Sequence, residues 1–145
     1  MKVELIAYTP DPEAAVAAAA RICYSDRGAV DLKEDLSREE ISSLLKRLIS
    51  MGHLSPVEHA SFTFAIEGVS RSLSHQLVRH RIASYSQKSQ RYVNEKNFSY
   101  VTPPTIAADP KASALFARVM GDLQDAYGKL AVIVPREDAR YLLPN

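Results

Sequence analysis

Arg79-His80-Arg81, followed by Ser84, Ser86, Lys88, Ser89 and Arg91, is a concentration of side chains suited to holding an anion. Arginine forks match phosphate bidentately, and hydroxyls and an ammonium fill the acceptor positions that remain. At a helix terminus, residues two apart point about 200° away from each other, so Arg79 and Arg81 can serve two different anionic groups. The charge distribution singles out the same stretch. The chain carries 18 Lys and Arg against 17 Asp and Glu, but residues 70–94 hold Arg71, Arg79, Arg81, Lys88 and Arg91 and no acidic residue. A net charge of +1 predicts no polyanion partner by itself, whereas charge segregated in this way points to an anion site in one segment. Tyr85 and Tyr92 interleave aromatics with the charge, as a nucleic-acid patch does. The patch is short, however, and the chain is not basic overall, which weighs against nucleic acid.

Other chemistries find less support. His53 and His59 lack a zinc spacing and would not share a helix face, so no metal site is expected. Cys23 sits late in an alanine-rich run, where a small buried thiol is the ordinary expectation, and no neighbouring base would activate it. No Gly-x-Ser-x-Gly elbow surrounds Ser84, Ser86 or Ser89, and the five glycines form no phosphate loop, so side chains would have to hold a nucleotide.

The elements that must position these groups read as α+β. At 145 residues and 46% hydrophobic composition, the chain is expected to form a single domain over 1–145 without disulfides or metal staples. No apolar run approaches a membrane span, and Glu4 interrupts the apolar start that a signal peptide needs, so a soluble cytoplasmic protein is expected. Residues 2–8 alternate weakly and read as a strand. Asp11-Pro12-Glu13 opens a helix over the alanines up to Tyr24. Ser37-x-x-Glu40 is a capping box before Ile41, Leu44, Leu45, Leu48 and Ile49, a helix that Gly52 should stop. Phe62, Phe64 and Ile66 alternate with polar or small residues as in a half-buried strand. Ser70 should cap a helix reaching about Arg81, with Leu73 and Leu77 on its buried face. Residues 84–91 read as a loop, and 98–102 as a short strand. Asp109-Pro110 begins a long helix striped by Leu115, Val119, Leu123, Tyr127 and Leu130 and ended by Val134-Pro135. Residues 135–143 suit one or two further helical turns carrying Arg140.

Four segments, in order and spacing, resemble the flavin-dependent thymidylate synthases. Arg79-His80-Arg81, seven residues, then Ser89 matches that family's RHR-x7-S signature. Gly52-His53-x-Ser55-Pro56-x-Glu58-His59 precedes it, and Phe62-Thr63-Phe64 lies where the family has a strand. Pro135-Arg136-Glu137-x-Ala139-Arg140-x-x-Leu143-Pro144 follows. Ser86 and Gln87 depart from the asparagine and glutamate frequent at those places.

The resemblance implies an α+β fold with a mixed sheet and long helices. It also implies a homotetramer with shared sites that methylates dUMP to dTMP, with methylenetetrahydrofolate as carbon donor, NAD(P)H as reductant and FAD as hydride carrier. By the same resemblance, His53, Ser55, Glu58, Arg79, His80, Arg81, Ile82 and Ser86 would line FAD. Gln76, Arg79, Gln87, Lys88, Ser89, Gln90, Arg91 and Arg140 would bind dUMP. Family members continue into a segment beyond the position of Asn145 that holds the arginine activating dUMP. The 145 residues are therefore expected to be C-terminally incomplete, to lack that catalytic group and to be inactive by themselves. The alternative is a non-catalytic nucleotide- or RNA-binding module that uses the basic loop 79–91.

Overall fold

The computed structural model describes residues 1–145. Its contacts fall into two compact units, Lys2–Ile66 and Met1 with Glu67–Asn145. The first unit holds strand β1 (Lys2–Tyr8), helices α1 (Pro12–Ile22), α2 (Ala29–Asp35) and α3 (Arg38–Ser50), a 3-10 turn at Ser55–His59, and strand β2, which runs Phe62–Glu67. The second holds α4 (Arg71–Leu77), α5 (Pro104–Ala107), α6 (Pro110–Leu130), α7 (Arg136–Ala139) and a 3-10 turn at Arg140–Leu142.

In the first unit, α1 packs on α2, α3 and the 3-10 turn. The packing is close because the buried stripe of α1 is small: Ala14, Val16, Ala17, Ala18 and Ala20. Ala14 and Ala17 meet Ile41 of α3, with Leu36, Leu44 and Leu45 around them. Asp11 adopts a left-handed conformation (φ 46°) and accepts from the Ala14 N–H at 3.4 Å. Its carboxylate also receives both terminal nitrogens of Arg38 at the start of α3, at 3.1 and 3.0 Å. One side chain thus ties together the N-termini of two helices.

The capping box of α3 forms as expected. Glu40 Oε2 accepts from the Ser37 backbone N–H and hydroxyl, both at 2.9 Å. At the other end Gly52 takes φ 71°, and the bonds from His53 N to Leu48 O and from Gly52 N to Ile49 O close a Schellman motif. The Ser37 backbone N–H, and after it the Ser37 hydroxyl, hold the Glu40 carboxyl below the usual carboxylate range. A lowered folded value means that this contribution is complete above the ordinary glutamate range and is lost as pH falls through the folded value. The stability gap between wild type and Glu40→Ala, measured by urea unfolding, should therefore narrow on acidification. A gap that stays constant from neutral pH to pH ~3 would contradict this. Ser37→Ala should cost about 1 kcal/mol at neutral pH by the same measurement.

The sheet consists of β1 and β2 alone. Thr9 donates its N–H to Ser61 O at 2.9 Å at one end, while Met1 lies against Gly68 at the other. The ladder is therefore antiparallel. The Thr9 and Ser61 hydroxyls, 3.2 Å apart, share one face, which places Ile6 and Tyr8 with Phe62, Phe64 and Ile66 on the opposite face. The expected half-buried β2 is a correction: both strands are exposed nearly throughout, only Ala65 being intermediate. Alternation marks which residues share a face, and two strands with no layer over them leave both faces open. Cys23, expected to be buried, is exposed at the C-cap of α1, because the buried alanine stripe ends at Ala20.

In the second unit, Ser70 caps α4 through the Leu73 N–H at 3.1 Å, but the helix stops at Leu77, short of Arg81. Arg79 and His80 continue only as i→i+3 turns. Leu73 is exposed and Leu77 half-buried, so this short helix lacks the buried face expected of it. Residues 98–102 form no strand. Gln124 of α6 donates to Phe98 O at 2.7 Å, and Phe98, Tyr100 and Phe116 pack edge to face. The stretch is held by a helix and has no neighbouring strand to pair with. α6 begins at Asp109-Pro110 as expected, Asp109 Oδ1 accepting from Lys111 and Ala112 at 2.8 and 2.9 Å. Its buried residues are Met120 and Tyr127. Leu115 and Val119 of the expected stripe are exposed, because at 100° per residue they lie about 100–140° around the helix from Met120, which shares its face with Tyr127. No helix is long and apolar enough to cross a membrane.

Candidate functional site

In the first unit, the chain leaves the Schellman turn at His53 and enters the 3-10 turn with Pro56 in its opening residues. His53, Ser55 and Glu58 are all exposed. With three residues per turn, Ser55 and Glu58 stack on one face of the 3-10 turn. Their side chains are committed to no partner within the unit, so an acceptor, a hydroxyl and an imidazole remain available to a ligand. An open hollow in the same unit is lined by Arg21, Tyr24, Arg27, Asp35 and Glu40. One of its two arginines, Arg27, is already paired: its guanidinium bonds the Asp35 carboxylate, which raises its pKa above the ordinary value.

In the second unit, the basic loop is built from α4 outward. Ser74 of α4 accepts a hydrogen bond from the Gln87 amide. Arg71, one turn earlier, donates to Lys88 O at 3.2 Å and to His75 Nε2 at 3.1 Å. Beyond Lys88 the chain turns on Ser89, whose hydroxyl accepts from Arg91 N at 3.3 Å and whose carbonyl accepts from Val93 N at 3.1 Å. Arg136 at the start of α7 donates to Tyr92 O at 3.0 Å. The loop is thus pinned to α4 at its centre and to α7 at its end.

Of the residues expected to bind dUMP, the structure ties Gln87 and Lys88 to α4 and leaves Ser89 and Gln90 half-buried beside them. Gln76, Arg79 and Arg91 are exposed. The Arg140 Nε donates to Glu137 O at 3.0 Å, and its guanidinium lies 5.9 Å from the Tyr141 ring centroid. No carboxylate within the unit pairs with Arg79, Arg81, Arg91 or Arg140, so these four cations remain free to meet an anion. Lys88 differs from them: its ammonium is bound to Glu95 at 3.0 Å. Of the residues expected at FAD in this unit, His80, Arg81, Ile82 and Ser86 are exposed residues outside any helix or strand, and their side chains make no hydrogen bond within the unit. Sequence reasoning did not single out Arg71, Ser74, Glu95 or Arg136 as supports of the loop. One signal was available, since Glu95 is the first acid after the acid-free stretch 70–94.

A loop that offers unpaired guanidiniums and hydroxyls from a fixed backbone has the donor chemistry that a phosphate requires. The family model described as thymidylate synthase complementing protein matches residues 4–145, and the chain belongs to that family. It is similar to the flavin-dependent thymidylate synthase of Geobacter sulfurreducens, 53% identical over 148 residues, covering 100% of this chain and 64% of the relative. The Clostridium tetani protein of the same name is 49% identical over 162 residues, covering 100% of this chain and 65% of the relative. The chain therefore spans just under two thirds of the length of these relatives. Among solved structures it resembles a UMP/dUMP methylase, PolB from Streptomyces cacaoi, bound with 5-Br dUMP. The TM-score there is 0.76 at 25% identity, over 99% of this chain and 67% of that one. The α+β class expected from the sequence holds, with a sheet of two strands.

Proposed function

We propose that this chain carries the nucleotide- and flavin-binding part of a flavin-dependent thymidylate synthase, acting in the reductive methylation of dUMP to dTMP. The observation that carries the reading is the loop Gln87 to Arg91, pinned to α4 at Gln87 and Lys88, in the same unit as the unpaired Arg79 and Arg81. In this reading Gln76, Arg79, Gln87 to Arg91 and Arg140 serve dUMP. Arg79, His80, Arg81, Ile82 and Ser86, with His53, Ser55 and Glu58, serve FAD. The donor set suits that group: exposed cations and hydroxyls fit a diphosphate, and the Ser55 and Glu58 face offers polar partners to a ring or ribose. When bound, FAD supplies the hydride chemistry, with NAD(P)H as reductant and methylenetetrahydrofolate as carbon donor. The chain's own residues hold and orient the nucleotides. A homotetramer with shared sites and a cytoplasmic setting complete the proposal.

Comparative binding tests it. Calorimetry should show dUMP binding much more tightly than deoxyuridine, and FAD fluorescence should be quenched saturably by the chain. Equal affinity for dUMP and deoxyuridine, or no flavin binding together with steeply salt-dependent RNA binding, would favour the RNA module.

A further inference from the structure

Glu95 is the one charged residue buried in the core, its side chain 11% exposed. A carboxylate is taken out of water only where charge or hydrogen bonds compensate it. Here both oxygens receive the Lys88 ammonium, at 3.0 and 3.2 Å. The Glu95 backbone is fixed as well, its N–H donating at 3.2 Å to the hydroxyl of Tyr127, which is completely buried on α6. Lys88 is then gripped at two points: its ammonium by Glu95, and its carbonyl by Arg71. Its neighbour Gln87 is held by Ser74. Among the basic residues of the segment 70–94, Lys88 alone has its charge met by a carboxylate.

We infer that Glu95 is a positioning residue for the nucleotide loop: through Lys88, and anchored by Tyr127, it holds Gln87 to Arg91 in the form that presents Ser89 and Arg91 to a phosphate. Lys88 accordingly serves the dUMP loop as a strut, its charge already met by Glu95. This inference rests on the reading of 87–91 as the dUMP loop and assigns the support of that same site.

The sign of one substitution separates the alternatives. If Lys88 were a phosphate ligand restrained by Glu95, Glu95→Gln would release a cation and strengthen dUMP binding. If Glu95 positions the loop, Glu95→Gln weakens dUMP binding by about tenfold, since small misplacements of binding groups carry costs of this order or larger. Lys88→Met should weaken it similarly, and the double variant should be no worse than either single one, because the two side chains act as a unit. The ratio of dUMP to deoxyuridine affinity is the second readout. Global destabilisation lowers both affinities together, whereas a displaced phosphate loop lowers the ratio.

The experiment is calorimetry of dUMP and deoxyuridine on the purified chain, on Glu95→Gln, Lys88→Met and the double variant, with Arg91→Ala in parallel. The Lys88 side chain is 61% exposed, so Lys88→Met should fold even if Glu95→Gln does not, and dUMP binding unchanged in it would by itself exclude a strut at Lys88. Tighter or unchanged dUMP binding in Glu95→Gln, unchanged binding in Lys88→Met, or losses that add in the double variant, would overturn the positioning role. Binding untouched by Arg91→Ala, or a wild-type chain that binds no dUMP, would instead overturn the reading of the loop on which it rests.

Discussion

Truncating Tyr127 to alanine is expected to destabilise the chain by about 3–5 kcal/mol, the range for deleting a large aromatic side chain from a core. Tyr127 is the largest fully buried side chain, and it sits where α6 meets the stretch Glu95 to Phe98. Two losses combine. The ring leaves a cavity that the helix backbone cannot collapse to fill, and the Glu95 N–H loses its 3.2 Å acceptor. Tyr127→Phe isolates the second loss, because it keeps the ring and orphans only that donor, at about 1–3 kcal/mol. Set against a total of about 5–15 kcal/mol for an ordinary domain, the alanine variant should be partly unfolded at modest urea concentration while the phenylalanine variant remains folded. Urea unfolding of the three proteins at equal slope provides the measurement. An alanine variant as stable as wild type would show that the unit does not depend on this packing.

Replacing Arg91 by alanine should weaken dUMP binding by about 10–100-fold, because a charge-assisted hydrogen bond to phosphate contributes about 1.5–3 kcal/mol. Stability should scarcely change. The Arg91 side chain is exposed, and its one aromatic neighbour, the Tyr92 ring 5.9 Å away, is worth at most about 1 kcal/mol at an exposed site. The two readouts therefore separate cleanly, binding by calorimetry and folding by thermal unfolding. Deoxyuridine affinity should move far less than dUMP affinity, since the lost partner is the phosphate. An Arg91→Ala protein with wild-type affinity for dUMP would remove this arginine from the site.

Much of this architecture was legible where the signals were local. Asp11-Pro12, the Ser37–Glu40 box, Gly52 and Asp109-Pro110 each satisfy orphan backbone groups within a few residues, so helix ends could be read directly. The helix α2 escaped notice because its N-cap, Gly28, makes no side-chain hydrogen bond. The two-residue alternation of Phe62, Phe64 and Ile66 identified a strand correctly, yet it could not say whether anything would cover the strand. The site divided in the same way. The signature residues were evident from type and spacing, but their supports were not. Tyr127 lies 32 positions from Glu95, and Arg136 lies 44 from Tyr92, separations over which no periodic pattern connects donor to acceptor.

The carboxylate of Asp11 bears on how mutational energies in the first unit can be interpreted. It caps α1 and clamps α3 through Arg38 at once, from a backbone conformation that is uncommon for a residue with a side chain. Removing Asp11 abolishes both contacts and relaxes the backbone, whereas removing Arg38 abolishes one contact and leaves the cap. Energies assigned to the two positions share a common interaction, so their sum counts the clamp twice. The starts of α1 and α3 are in this sense a single thermodynamic element divided between two places in the chain.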